Sequence, residues 1–409
     1  MSRHVVVMVA TSYPRFPGDG VGSFMEPIAT AVAARGHEVH MVAPWHPLVT
    51  RGKVEQGVHF HFFKYAPLRS LNVFGYAQGL KADTDLKWAS WCITPAAVAA
   101  GWFKTMRVAQ KKRATIIHGH WVVPGGFIAS LAAGSRPLVV SLHGSDVYVA
   151  ERHAAIGRAA RRVFARAART TACSDDLRTR AIALGADPAH IETVPYGVDT
   201  TRFAPNPTAR AHVRQNLAIG DRPFVFTAGR LVRKKGFDVL IEAARQLQPM
   251  HPDLVVGIAG EGDMHDELAR AAAAVPAVRL LGNQSQDDIA HLAAAADVVA
   301  VPSVHDDAGN VDGLPNFALE ALATATPVVA SRVGGLPQAI EDGRTGLLVA
   351  ERDPAALAAA IKRLIDDRQC AAALGSAARR EVESRFSWAR VAERLEWAYD
   401  AAVEDQAQS

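Results

Sequence analysis

The chain has 409 residues, 49% of them hydrophobic, and a formal net charge of +4. That length exceeds one ordinary core and that composition excludes a disordered chain, so two globular domains are expected. Cys92, Cys173 and Cys370 lie far apart with no CxxC pair, which excludes a disulfide framework or a cysteine zinc site and fits a reducing cytoplasm.

The charge is unevenly spread. Residues 1–200 hold 23 Lys and Arg against 13 Asp and Glu, whereas the remainder holds 22 against 28. A basic half suits anionic lipid or a phosphate-bearing acceptor, or is a solvated face; no nucleic-acid partner is expected.

The opening MSRHVVVMVA is too short in its apolar run for a signal peptide, and Val5–Ala10 reads as a buried first strand. No stretch reaches the ~20 apolar residues of a membrane span. Further strands are predicted at Val39–Ala43, Ile116–His118, Leu138–Leu142 and Thr170–Cys173. In the second half they fall at Phe224–Ala228, Leu254–Ala259, Val278–Leu281, Val298–Val301 and Pro327–Ala330. Amphipathic, Ala-rich stretches separate them, so the fold class is α/β, with a doubly wound Rossmann-like sheet in each half. Proline-punctuated PYGVDTTRFAPNPTAR marks the boundary, dividing the chain into 1–200, 201–385 and a C-terminal segment 386–409. That last segment carries an amphipathic helix from about Phe386, with Val391, Leu395 and Tyr399 on one face. Two stretches, AVAAGWFKTMRVAQKKRA and RHAAIGRAARRVFARAAR, mix apolar residues with five and six cations. Such helices lie on an anionic bilayer or pack as ordinary surface helices.

Several segments have chemical content. PGDGVGSF places Gly20 and Gly22 between the first strand and first helix, where glycine admits a close backbone approach. HGHWVVPGG carries His120 and Trp121, the latter an aromatic face that suits a sugar ring or equally core; His118 reads as structural. SLHGSD ends a strand at His143, with Asp146 supporting the loop. In the second half, GRLVRKKGF sets Gly229, Arg230, Arg233, Lys234 and Lys235 between a strand end and a helix start, which suits a diphosphate or is an exposed basic turn. VDGLPNFALEALATATPVVAS places Asp312 eight residues before Glu320, around a turn at Gly313 and Pro315 and a helix beginning near Asn316. His305, Asp306, Asp307 and Asp312 raise a metal site, but Arg230 and Lys235 already supply positive charge, so no metal is expected.

Together these segments resemble the retaining, family 4 type of GT-B glycosyltransferases. GRLVRKKGFDVLIEA is similar to that family's Gly-Arg-Leu…Lys-Gly motif, and VDGLPNFALEALATATPVVAS to its E-x7-E motif, with Asp312 where the family usually has Glu. GEGD, LGNQ, VPS and VGGLPQAIEDGRTGLLV follow in family order, and SYPRFPGDGVGSF, HGHWVVPGG, SLHGSD and TACSDDL do so in the first half. The resemblance implies two Rossmann-like domains facing across a cleft, acceptor-binding at 1–200 and donor-binding at 201–385, with the last helix crossing back to the first domain. It implies a nucleotide-sugar donor, a hydroxyl acceptor and no cofactor. Arg230 and Lys235 would hold the diphosphate, Glu320 the ribose, Asp312 the donor sugar, and Asn283 would lie near the base. Amides around Gly313, Leu314, Pro315, Asn316 and Phe317 would bind sugar or phosphate, and His143 would support the developing sugar cation. On the same fold, an epimerase or sugar phosphorylase is the alternative activity.

Overall fold

The computed structural model describes residues 3–66, 68, 72, 74–76, 80–81, 85–86 and 88–408. The side chain of Cys92 lies outside the described residues. The chain divides into two compact units, residues 1–196 with 388–409, and residues 197–387.

The first unit begins with β1 (Val5–Val9), α1 (Met25–Ala34), β2 (Glu38–Pro44), β3 (Val54–Glu55) and β4 (Val58–Phe63). A two-stranded ribbon of β5 (Leu80–Lys81) and β6 (Asp85–Leu86) precedes α2 (Trp88–Lys111). Then come β7 (Ile116–His120), α3 (Phe127–Ala133), β8 (Leu138–Leu142), α4 (Ser145–Arg152), α5 (Ala154–Arg166), β9 (Arg169–Ala172), α6 (Asp175–Ala183) and β10 (Ile191–Thr193). The sheet order is β10-β9-β8-β7-β1-β2-β4-β3, parallel throughout except for the β3–β4 pair. Val7 sits opposite His40 on one side and Ile117 on the other. Val6, Val7, Ile116, Ile117 and Val139 are all fully buried, as a parallel sheet covered on both faces requires.

The second unit contains α7 (Pro207–Asn216), β11 (Phe224–Ala228), α8 (Phe237–Leu247), β12 (Val255–Ala259), α9 (His265–Ala273), β13 (Val278–Gly282) and α10 (Gln286–Ala295). It continues with β14 (Val298–Val301), α11 (Asn316–Ala323), β15 (Val328–Ser331), α12 (Leu336–Ala339), β16 (Leu347–Val349), α13 (Pro354–Asp366) and α14 (Arg368–Arg385). Six parallel strands run in the order β13-β12-β11-β14-β15-β16. The apolar stripe of α8, Phe237, Leu240, Ile241, Ala244 and Leu247, is buried against Val256 and Ile258 of the sheet and Ile361 of α13. At full burial each of the four larger side chains contributes about 1.5–3 kcal/mol.

Helix α15 (Trp388–Gln408) returns to the first unit. Val391, Leu395 and Tyr399, the residues its amphipathic pattern singles out, are buried. Strand order reverses between β1 and β7 in one unit and between β11 and β14 in the other, and crevices at such reversals receive ligands in open α/β sheets.

Candidate active site

In the second unit, the two loops flanking the reversal carry the charged residues. The loop after β11 is shaped by the 260–264 segment. Gly229 donates to Ala259, Leu231 to Glu261, and Met264 to Leu231. A Cβ at Gly260 would lie 1.9 Å from the Gly229 carbonyl oxygen, so only glycine permits this approach. Gly236 takes a φ of +63° to start α8, and Val304 donates to the Lys234 carbonyl, tying the loop to the segment after β14. Lys234 and Lys235 therefore both reach Asp312. Their Nζ atoms lie 3.0 Å from Oδ1 and 2.6 Å from Oδ2. Burial alone would raise the Asp312 carboxyl, but the two ammonium groups outweigh it and hold it well below the usual range.

Asp312 precedes the turn Gly313–Pro315 that opens α11, whose first residue is Asn316. No side chain caps this helix, leaving its early N–H groups to other acceptors. Leu314 and Phe317 have their side chains in the core, Phe317 edge-on to Phe226, so what they can offer a ligand is backbone. Glu320 lies one turn further. Burial pushes its carboxyl up to about 7, against the opposing pull of Lys235 and Arg202. Arg230 and Asn283 are exposed on the loops after β11 and β13. Ser303 Oγ, Asn310 Oδ1 and Asn316 Oδ1 are buried without a hydrogen-bond partner among the described residues. Three such atoms in fourteen residues mark a polar region that its own side chains leave incomplete. His305 is held by Glu351, and Asp306 accepts from the amides of Ala308 and Asn310. Among the described residues no group of three His, Cys, Asp or Glu side chains is arranged to hold a metal ion.

In the first unit, His143 ends β8 inside an aromatic stack. Phe24, Trp121 and Tyr196 place their ring centroids 4.8, 4.9 and 5.9 Å from it. Its Nδ1 lies 2.8 Å from Tyr196 Oη and its Nε2 lies 3.1 Å from His120 Nδ1. Burial drives the ring down to about 3, so it is neutral at pH 7. Asp146 spends its oxygens on the N–H groups of Val122, His143 and Gly144, which fixes the loop. Gly20 and Gly22 lead into Phe24, and Gly22 takes a φ of +66° against Ser12. His120 is fully buried beneath His143 rather than presented to solvent, and Trp121 is partly exposed above it. His118 bonds Tyr399 Oη and Ser141 Oγ, both at 2.8 Å.

Phe24 and Tyr196 carry no sequence signal as site residues, and Lys234 is one of several cations in its loop. Phe24 and Tyr196 carry no charge pattern, and Tyr196 lies in a stretch that reads as a linker. Lys234 was visible in the basic loop, but only the fold turns it toward Asp312.

Comparison with known proteins agrees with both halves. The family described as "Glycosyl transferases group 1" matches residues 209–381, and "Glycosyl transferase 4-like domain" matches residues 19–197. A GDP-mannose-dependent alpha-(1-6)-phosphatidylinositol monomannoside mannosyltransferase from Mycolicibacterium smegmatis is 39% identical over 272 residues, 64% of this chain and 71% of that one. A D-inositol 3-phosphate glycosyltransferase from Corynebacterium kroppenstedtii is 38% identical over 231 residues, 53% of this chain but only 49% of that one. The structure of HepE from Anabaena in complex with UDP superposes with a TM-score of 0.78 at 20% identity, covering 97% of this chain and all of that one. The fold is thus the α/β fold of GT-B glycosyltransferases. The chain belongs to their family 4 type, the group 1 glycosyltransferases, enzymes that use nucleotide sugars.

Proposed function

We propose that this enzyme moves a hexose from a nucleoside diphosphate sugar to an acceptor hydroxyl with retention at the anomeric carbon and without a metal ion, in polysaccharide, glycolipid or glycoconjugate assembly. The observation that carries this reading is the cationic loop of Arg230, Lys234 and Lys235 beside an uncapped α11 and a clamped Asp312. Fixed cations stabilise a departing diphosphate without a divalent ion. Glu320 holds the ribose diol, and the amides of 313–317 hold sugar or phosphate.

Within a retaining reaction, the placement of the carboxylates favours the front-face route over a covalent intermediate. Asp146 is consumed by backbone N–H groups and Asp312 by two lysines, so neither serves as a nucleophile. In the front-face route the bond from the anomeric carbon to phosphate oxygen breaks, with its electron pair leaving on the diphosphate. The acceptor oxygen bonds to the same face, and its proton passes to the leaving phosphate oxygen. His143, neutral and with both nitrogens engaged, acts as a fixed dipole beside the sugar rather than as an acid. Cys173 and Cys370 are free thiols, which suits work in a reducing cytoplasm.

The test has two stages. Thermal unfolding with UDP, GDP, ADP and dTDP in EDTA should show one nucleotide stabilising the protein by about 2.7 kcal/mol at 100 times its Kd. The matching donor sugar then identifies product stereochemistry by NMR. An inverted product, or nucleotide binding only when Mg²⁺ is restored, overturns the reading.

A further inference from the structure

We propose that His120 is a positioning residue: its Nδ1–H donates to Nε2 of His143 and so holds that ring in one tautomer and one orientation. The inference rests on the reading that His143 lies beside the donor sugar.

The first observation is the geometry of the pair. Nε2 of His143 lies 3.1 Å from Nδ1 of His120, and the two rings are inclined by only 15° with their centroids 5.3 Å apart. The nitrogens therefore point at each other in a common plane and do not meet across ring faces. Neighbouring residues of a strand point to opposite sides, yet His120 and Trp121 both reach His143. They do so because Trp121 takes a φ of +62°, a conformation that bulky residues rarely adopt. The main chain of His120 is packed as tightly, since a Cβ at Gly125 would lie 2.1 Å from its carbonyl oxygen.

The second observation is an orphan atom. His120 Nε2 is buried without a hydrogen-bond partner among the described residues. Burial holds both rings well below the usual histidine range, so at pH 7 each is neutral and carries one N–H. Were His143 the donor, His120 would carry its proton on Nε2, where nothing accepts it. With His120 as the donor, Nε2 is a bare lone pair, and under-used acceptors are commoner in protein interiors than orphaned N–H groups. The assignment passes along the contacts. His143 keeps its proton on Nδ1 and donates to Tyr196 Oη at 2.8 Å. Beneath, the His118 ring lies 4.1 Å from that of His120 and is itself held by Tyr399 and Ser141, so His120 stands on a fixed floor.

A ring engaged at both nitrogens keeps its dipole in one direction and takes no proton from an acceptor hydroxyl. That proton is left to the phosphate oxygen of the departing diphosphate, and His143 contributes a fixed field.

The experiment is nitrogen NMR of the full chain with isotope-labelled histidine rings, without substrate, beside kinetics of variants. His120→Leu and His143→Ala assign the signals by difference. His143 should show a protonated Nδ1 and a bare Nε2, with a scalar coupling across the hydrogen bond to a protonated Nδ1 of His120. A protonated Nε2 on His143 overturns the proposal. Turnover is read as nucleoside diphosphate released from UDP-glucose and from GDP-mannose. His120→Leu fills the space without a donor and should lower kcat by roughly tenfold with little change in KM. His120→Asn returns an N–H near the place of Nδ1 and should recover most of that loss, although an amide suits the buried stack less well than leucine. Activity and urea midpoint should therefore rank the two variants in opposite orders. If leucine gives both the more stable and the more active enzyme, His120 is structural and the proposal falls. Full rate in His120→Leu with a slowed His143→Ala overturns the positioning role alone, whereas full rate in both also removes His143 from the sugar.

Discussion

The two units are built on the same plan and furnish their strand ends with opposite chemistry. The first surrounds His143 with neutral rings and leaves its one nearby carboxylate on backbone amides. The second gathers Lys234, Lys235, Asp312 and Glu320 and leaves buried polar atoms unpaired. The aromatic wall leaves one ring atom, His120 Nε2, buried without a partner, whereas the charged loop leaves Ser303 Oγ, Asn310 Oδ1 and Asn316 Oδ1, which a bound group can complete.

The largest expected effect tests the charged side. Lys235→Ala should lower kcat by about 10²–10³ with a smaller change in KM, because the leaving diphosphate needs its charge most in the transition state. A change confined to KM would reduce Lys235 to a ground-state contact. Next, Asp312→Asn should strand two partly buried lysines and cost about 2–3 kcal/mol in urea unfolding. An unchanged midpoint would mean that the clamp adds nothing to stability.

On the neutral side, His143→Ala should reduce kcat by about tenfold to a hundredfold. With the ring at about 3, activity of the native enzyme should show no limb from His143 between pH 5 and 8. A limb in that range that His143→Ala removes would contradict the neutral wall. Glu320 should supply the pH dependence instead. Its carboxyl sits at about 7, so kcat/KM should fall as pH drops through that value, and Glu320→Gln should remove the limb.

The last test is the pH dependence of stability. His118 and His143, held near 3 when folded, bind fewer protons than the unfolded chain below its histidine pKa of about 6.5. Stability should therefore decline as pH falls from about 6.5 toward 3. Glu320 acts in the opposite direction, losing stability as pH rises from about 4.3 to 7. Urea midpoints across that range, with and without Glu320→Gln, separate the two.

Much of the scaffold was legible because parallel strands buried on both faces read as continuous apolar runs. Leu138–Leu142, Phe224–Ala228 and Val298–Val301 have the bounds their sequence predicts. Strand β4 is harder to read, since VHFHFF interleaves histidine with its apolar residues and its His61 lies 3.1 Å from His40 of the neighbouring β2. β16 is only three residues long and too short for a periodicity. In the site, charged residues at strand-to-helix junctions stood out, while the rings around His143 did not. Phe24 and Tyr196 are 172 positions apart, and stacking leaves no spacing to read. His120 is expected to line the acceptor side, yet it lies on a strand end that the sheet encloses.

Tyr399 closes the first unit from beneath, hydrogen bonded to His118 and fully buried. The unit made first by the ribosome thus awaits a residue made after the whole of the second unit. About 200 residues of the second unit intervene, roughly 10–40 s of synthesis at ordinary rates. During that interval the nascent first sheet lacks its final cover, while the second unit has its whole sequence in one continuous piece. Order of emergence and order of completion are therefore reversed, and loss of α15 would spare the unit born second and leave the firstborn unsealed.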